Sequence, residues 1–169
     1  MFARHFIDSL DFARQGLEFR GEAAVSELPR LRDVLAAPEG QVSFVLRGVP
    51  QGRNGKALLE LTLTGSCQLR CQRCLQALPY SINTASLLMP VAEGELEGAP
   101  EGGELEEDEG IDTIPASAHM DVLDLVEEEI VLGLPLAPRH EFGACEAANE
   151  SALREERSPF AVLRGLKKD

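Results

Sequence analysis

Apolar and polar residues alternate along two stretches of the chain. From Leu58 to Leu69, Leu59, Leu61 and Leu63 take turns with Glu60, Thr62 and Thr64, the period of two that gives a β-strand one dry face and one wet face. Val42-Ser43-Phe44-Val45-Leu46 has the same strand character. Between the two runs, Gly48-Val49-Pro50-Gln51-Gly52-Arg53-Asn54-Gly55 is dense in turn formers, which predicts an antiparallel hairpin with a longer loop. Leu17-Glu18-Phe19-Arg20-Gly21 alternates as well and predicts an earlier strand. A further strand from about Ser81 to Met89 completes a meander, with a cysteine-bearing turn at its connection. Residues 4–15, around Phe6, Ile7, Leu10 and Phe12, fit a short strand or a turn of helix equally well.

Helical periods are confined to two places. Ser26 before Glu27-Leu28-Pro29 reads as an N-cap with proline in the first turn. Leu28, Leu31, Val34 and Leu35 then recur at helical spacing and predict a short N-terminal helix ending near Ala37-Pro38. Further on, Asp121 precedes an apolar stripe of Val122, Leu123, Leu125, Val126, Ile130, Val131 and Leu134. This predicts one long amphipathic helix with Asp124 and Glu127, Glu128 and Glu129 on its wet side, stopped by Gly133 and Pro135. The expected class is α+β: an antiparallel β-meander, a long amphipathic helix, a short N-terminal helix and a disordered acidic loop.

That loop spans 92–112, where like charge and repeated glycine leave too little apolar surface to offset the entropy of ordering. The net charge of −13 is local: residues 1–73 carry 10 basic and 8 acidic side chains, 74–138 none and 15, and 139–169 six of each. Ten of the acids fall in residues 93–112, so the rest of the chain is near neutral and leaves room for a basic face. The 169 residues fit a single domain, with 146–169 as an extended C-terminal tail that is apolar around Phe160, Val162, Leu163 and Leu166 and basic at its end. No apolar run approaches the roughly 20 residues of a membrane span, and the N-terminus has no secretory pattern. A cytoplasmic protein with no membrane partner is therefore expected.

The cysteines carry the chemistry. In a reducing compartment four cysteines do not suggest a disulfide framework. Cys71-Gln72-Arg73-Cys74 at a strand end places two thiolates on one tight turn, ready to share a zinc ion at about 2.3 Å each. Cys67 is a poor additional ligand: four residues up a strand lies about 13 Å away, whereas sulfurs on one tetrahedral zinc are about 3.8 Å apart. His140 and Cys145, in the polar loop after the main helix, fit better, and Gly143 permits the bend. The expected structural site is Cys71, Cys74, His140 and Cys145. Reduced packing thiols and a redox CxxC are the alternatives, the latter lacking the helix N-terminus that lowers a thiol pKa.

Other chemistry is thin. Arg70, Arg73 and Arg139, with Lys167 and Lys168, are candidates for a phosphate-binding patch, against a plain reading as solvated surface. Three consecutive glutamates cannot face one way on a helix, which argues against a carboxylate pair for acid/base work. His5 and His119 stand apart from any nucleophile pattern, and no phosphate-cradling glycine motif occurs. With one tyrosine and no tryptophan, base stacking on aromatic rings is not the expected mode.

Three stretches in order resemble the bacterial large ribosomal RNA subunit accumulation (YceD) family. They are the strand leading to Cys71-Gln72-Arg73-Cys74-Leu75, the block from Asp121 to His140 with Glu127-Glu128-Glu129-Ile130 and Leu134-Pro135-Leu136-Ala137-Pro138, and Ser158-Pro159-Phe160-Ala161-Val162-Leu163. Cys67 and the glycine-diluted acidic loop depart from the family pattern. The resemblance implies a non-enzymatic role in accumulation of large-subunit ribosomal RNA, with that RNA or a ribosomal protein as partner and no small-molecule substrate. Three mechanisms fit: direct RNA binding, a zinc-containing adaptor whose acidic loop engages a basic ribosomal protein without touching RNA, and a thiol oxidoreductase.

Overall fold

A mixed sheet of five strands forms the centre of the protein. The computed structural model describes residues 4–52, 55–92 and 110–145. In chain order these form β1 (Phe6–Ile7), α1 (Ser9–Gln15), β2 (Glu18–Ala24), two 3-10 turns (Val25–Glu27 and Pro29–Asp33), β3 (Leu35–Val49), β4 (Leu58–Arg70), β5 (Ala77–Val91), β6 (Ile111–Pro115), β7 (Met120–Asp121) and α2 (Val122–Gly133). The strand order is β2-β3-β4-β5-β6, while β1 and β7 pair separately. The class is α+β.

The alternating stretches form the long inner strands. Leu59, Leu61 and Leu63 are fully buried, and on the neighbouring β3 Val42, Phe44 and Leu46 are buried too, Phe44 facing Leu63 and Leu46 facing Leu61. At roughly 1.5–3 kcal/mol for each large apolar side chain buried, this face dominates the stabilisation. It is covered by Phe12 and Ala13 of α1, Val25, Leu28 and Leu31 of the 3-10 turns, and Val126 and Ile130 of α2. Close approach at the α1 crossing explains Gly48: a Cβ there would run into the carbonyl oxygen of Phe12. The opposite face is wet, and Arg47 bridges Glu18 at 2.8 Å and Glu60 at 3.6 Å across it.

Several expectations are corrected. The short helix from Ser26 is two 3-10 turns: Leu28 and Leu31 are buried at the three-residue spacing that suits both helix types, and neither turn is capped by the side chain of its own N-cap residue, Ala24 or Leu28. Ala37 and Pro38 do not end a helix but lie within β3, where the register with β4 shifts twice, a place for a residue that lacks a ladder N–H. The predicted acidic loop stops short of 112, because Ile111 and Asp112 open β6, and residues 93–109 lie outside the described residues. β6 pairs parallel to β5, Leu87 facing Ile111 and Val91 facing Pro115, so the sheet is not antiparallel throughout. Side-chain alternation carries no record of strand direction. The tail 146–169 also lies outside the described residues.

The helix α2 starts as expected, with the Asp121 carboxylate accepting from the Leu123 N–H at 2.9 Å and from Arg4 Nη1 at 2.9 Å. Its wet side differs. Glu127 and Glu129 are buried, 1% and 6% exposed, and only Glu128 of the three faces water. Glu127 Oε1 accepts the backbone N–H of Leu31 at 3.2 Å and that of Arg30 as well, so one carboxylate satisfies two donors at the start of the second 3-10 turn. Glu129 accepts from the Ser86 hydroxyl on β5. Both acids fasten the helix to its neighbours, which explains their place on a buried face.

Replacing Glu127 with Leu strands two buried N–H groups and should cost about 2–3 kcal/mol of stability, whereas Glu127→Gln keeps an acceptor oxygen and should recover much of it. Urea denaturation of the three proteins tests this: equal midpoints for the Gln and Leu variants would dismiss the hydrogen bonds as the cause.

Candidate metal centre

β4 delivers Cys71 to the edge of the core, and the chain then reverses within five residues to begin β5 at Ala77. The reversal is closed by two backbone bonds, Leu75 N–H to Cys71 O at 2.8 Å and Cys71 N–H to Gln76 O at 2.9 Å. Leu75 has φ of 64°, and it is the one non-glycine residue with positive φ among the described residues. That conformation costs a side-chain-bearing residue about 1–2 kcal/mol. Leu75 is also 68% exposed, so no packing of its own side chain compensates.

The other half of the site follows α2. Leu134 ends the helix, and the proline-rich stretch to Pro138 carries the chain back to the cysteine turn, where Pro138 O accepts the Gln72 N–H at 2.9 Å. His140 and Cys145 then face Cys71 and Cys74, with Gly143 at φ 89° providing the bend between them. The Sγ atoms of Cys71, Cys74 and Cys145 and a ring nitrogen of His140 all lie within 4.8 Å of one another.

Individual separations are informative. Cys71 Sγ and Cys145 Sγ are 3.7 Å apart, close to the roughly 3.8 Å between sulfurs on one tetrahedral zinc. His140 Nδ1 lies 3.4 Å from Cys74 Sγ and 3.7 Å from Cys145 Sγ, bracketing the roughly 3.6 Å that zinc–sulfur and zinc–nitrogen bonds imply. His140 Nε2 donates to Ala77 O at 3.0 Å. A carbonyl oxygen only accepts, so Nε2 carries a proton, and in the neutral imidazole the Nδ1 lone pair then faces the sulfurs, the outer-shell arrangement usual for metal-binding histidine. The set is compatible with a tetrahedral metal ion.

The electrostatics agree with a cluster of donors competing for protons. Burial works to raise the Cys71 thiol, but N–H groups from the backbone of Cys74, His140 and Arg73 bring it down to about 5. For Cys74 the backbone N–H of Gln76 lowers the value, yet burial and the sulfurs of Cys71 and Cys145 outweigh it and hold the thiol above its ordinary range. The same sulfurs, Cys145 first and then Cys71, raise the His140 imidazole against the opposing effect of burial. Cys67 stays in β4 opposite Tyr80, 2% exposed, and burial pushes its thiol up. It is a core residue and stands outside the cluster.

Of the candidate phosphate contacts, Arg70, Arg73 and Arg139 are exposed, while Lys167 and Lys168 lie outside the described residues. The Gln72–Pro138 bond sets Arg73 and Arg139 one residue beyond it on each chain. Arg70 closes the other side, its backbone N–H donating to Val34 O at 2.8 Å and its Nη2 to Leu35 O at 2.9 Å. Two neighbours were not foreseen from sequence: Arg30 and Arg32, which flank buried Leu31 and point away from the core. Only the docking of the 3-10 turn beside β4 relates them to residues 70–73. His5 stacks on Phe19 with ring centroids 4.4 Å apart, and His119 is exposed.

The family model described as large ribosomal RNA subunit accumulation protein YceD matches residues 59–167. The chain belongs to the YceD family. A curated relative, the large ribosomal RNA subunit accumulation protein YceD of Haemophilus influenzae, is 27% identical over 175 residues, covering 95% of this chain and 94% of the relative. No solved structure matches the chain. Both halves of the donor cluster, the CxxC turn and the His140–Cys145 loop, fall inside the stretch that the YceD model matches.

Because Leu75 gains nothing from its side chain at a positive φ, Leu75→Gly should stabilise the protein by up to about 1 kcal/mol, after the greater freedom of glycine in the unfolded chain is set against the relief. A lowered urea midpoint for this variant would show that Leu75 is held by contacts rather than strained.

Proposed function

We propose that this chain acts as one domain that supports accumulation of large-subunit ribosomal RNA in the cytoplasm by binding, without bond chemistry, and that zinc held by Cys71, Cys74, His140 and Cys145 is the scaffold of its binding end. The observation that carries this reading is the closure of the donor cluster. Structural zinc sites take four protein ligands, whereas catalytic ones leave a position for water or substrate. Here three sulfurs and one imidazole nitrogen already make four, and Cys71 and Cys145 are buried. The family name supplies the process. Among the described residues no helix is long and apolar enough to cross a membrane, which fits a role beside ribosomal RNA.

Contact with RNA would run through Arg70, Arg73 and Arg139, joined by Lys167 and Lys168 from the tail. The competing adaptor reading gives the acidic stretch 92–112 to a basic ribosomal protein, and ten acids in residues 93–112 are its support. Salt dependence separates the two. Direct binding predicts that log affinity for ribosomal RNA falls linearly with log salt, by about 0.7 per phosphate neutralised on single strands and about 0.9 on duplex. An adaptor shows no RNA affinity until its protein partner is added.

Protein purified without chelator should contain about one zinc per chain by elemental analysis, and Cys74→Ser should lower both metal content and thermal midpoint. Acid should release the ion, because protons compete with the metal for all three thiolates and the imidazole; occupancy is highest near and above neutrality and falls as pH is lowered. Full thermal stability in a zinc-free preparation would remove the metal from the account. Steady thiol–disulfide exchange activity, abolished by serine at Cys71 or Cys74, would replace binding with redox chemistry.

A further inference from the structure

Nine arginines lie among the described residues, and all but Arg14, which is exposed beside a separate hollow, fall into two groups. Arg4, Arg20 and Arg47 are paired with carboxylates, at 2.9, 2.7 and 2.8 Å. Arg30, Arg32, Arg70, Arg73 and Arg139 are exposed, and among the described residues none of the five makes an ion pair. The second group is also gathered in one place. Arg32 and Arg70 line one shallow concavity, Arg70 lines a second with Val34, Gln72 and Pro138, and Arg30 lines a third that shares those last three residues. The three hollows therefore adjoin, and Arg73 and Arg139 follow directly from Gln72 and Pro138 at their shared wall. A single carboxylate, Asp33, lines any of them.

We infer that Arg30 and Arg32 extend the contacts at the cysteine turn into one continuous arginine arc, which grips the phosphate backbone of RNA. This deepens the proposed function and rests on its RNA-binding reading. Guanidinium groups present a planar fork that matches phosphate oxygens, and here they are not occupied by protein carboxylates. The hollows between them are lined by Val34, Leu75 and Pro138 rather than by aromatic rings, so the surface suits backbone tracking more than base stacking. With ten of the chain's acids concentrated at 93–112, this arc is the largest gathering of arginines without carboxylate partners among the described residues. Three distant segments supply it, residues 30–32, 70–73 and 139, and the Gln72–Pro138 hydrogen bond beside the Cys/His cluster joins the last two.

The test measures binding of full-length protein to transcribed fragments tiling large-subunit ribosomal RNA, across a potassium chloride series. Arg30→Ala/Arg32→Ala should weaken binding on the order of tenfold and flatten the salt slope by about 1.4, the share of two single-strand phosphates. Arg73→Ala/Arg139→Ala should do the same, and Arg30→Lys/Arg32→Lys should keep the slope. The control Arg14→Ala/Arg20→Ala removes equal charge from elsewhere and should leave the slope within error. Folding is monitored by urea midpoint, and the Arg30 backbone N–H that Glu127 accepts survives each change at that position. An unchanged slope in Arg30→Ala/Arg32→Ala, with loss in Arg73→Ala/Arg139→Ala, overturns the arc while sparing RNA binding. Equal losses in the control pair overturn it too, as a net-charge effect. Absence of salt-dependent binding by the unmodified protein overturns the RNA reading itself.

Discussion

The segment after α2 is held to the rest of the protein by its junction with the turn between β4 and β5. Among the described residues, the hydrogen bonds tying residues 135–145 to other elements are Gln72 to Pro138 and His140 to Ala77, with the sulfur contacts of Cys71 and Cys74 beside them. Two backbone-directed bonds contribute little net free energy in water, roughly 0.5–1.5 kcal/mol each. A metal bound by four donors at the same place would contribute far more, and only with both halves present. Closure at this junction fixes the direction in which Arg73 and Arg139 leave the surface.

How much of this could be read from the residues depended on whether a local pattern carried the information. The alternation of Leu59, Leu61 and Leu63 is a local consequence of one-sided burial, and β4 covers the stretch it marks. Asp121 caps α2 through an oxygen two residues from its target, again a local matter. The donor set was legible because sulfur and imidazole are scarce in this chain and Cys67 is excluded by strand geometry. Nonlocal packing was not legible. Glu127 reads as a wet residue until the 3-10 turn that needs its oxygen is brought alongside, 96 positions away in sequence. Arg30 and Arg32 meet Arg70 for the same reason, and neither the parallel pairing of β6 nor the positive φ of Leu75 has a signature in side-chain type.

Charge is segregated on this YceD-family chain in a way that net totals conceal. Acids crowd the connection between β5 and β6, while, among the described residues, five of the six arginines without carboxylate partners gather at the end of the sheet where β4 turns into β5. The two wet-face arginines that could have added to a diffuse basic surface, Arg20 and Arg47, are instead paired with Glu18, whose carboxyl they hold below its usual range, and Arg47 also with Glu60. A polyanion approaching such a molecule is turned as well as attracted.

The parallel partnership of β5 and β6 sets an unusually loose demand on the stretch joining them. Val91 ends one strand, and Ile111 begins the other level with Leu87, so the return journey along the sheet is only four residues of strand, roughly 13 Å. Nineteen residues, 92–110, are available for it. Doubling a loop's length costs only about 0.6 kcal/mol, so this crossover is free to grow, shrink or exchange its composition over evolutionary time while the strands on either side keep their register. An engineer wishing to splice a reporter into the molecule would begin there.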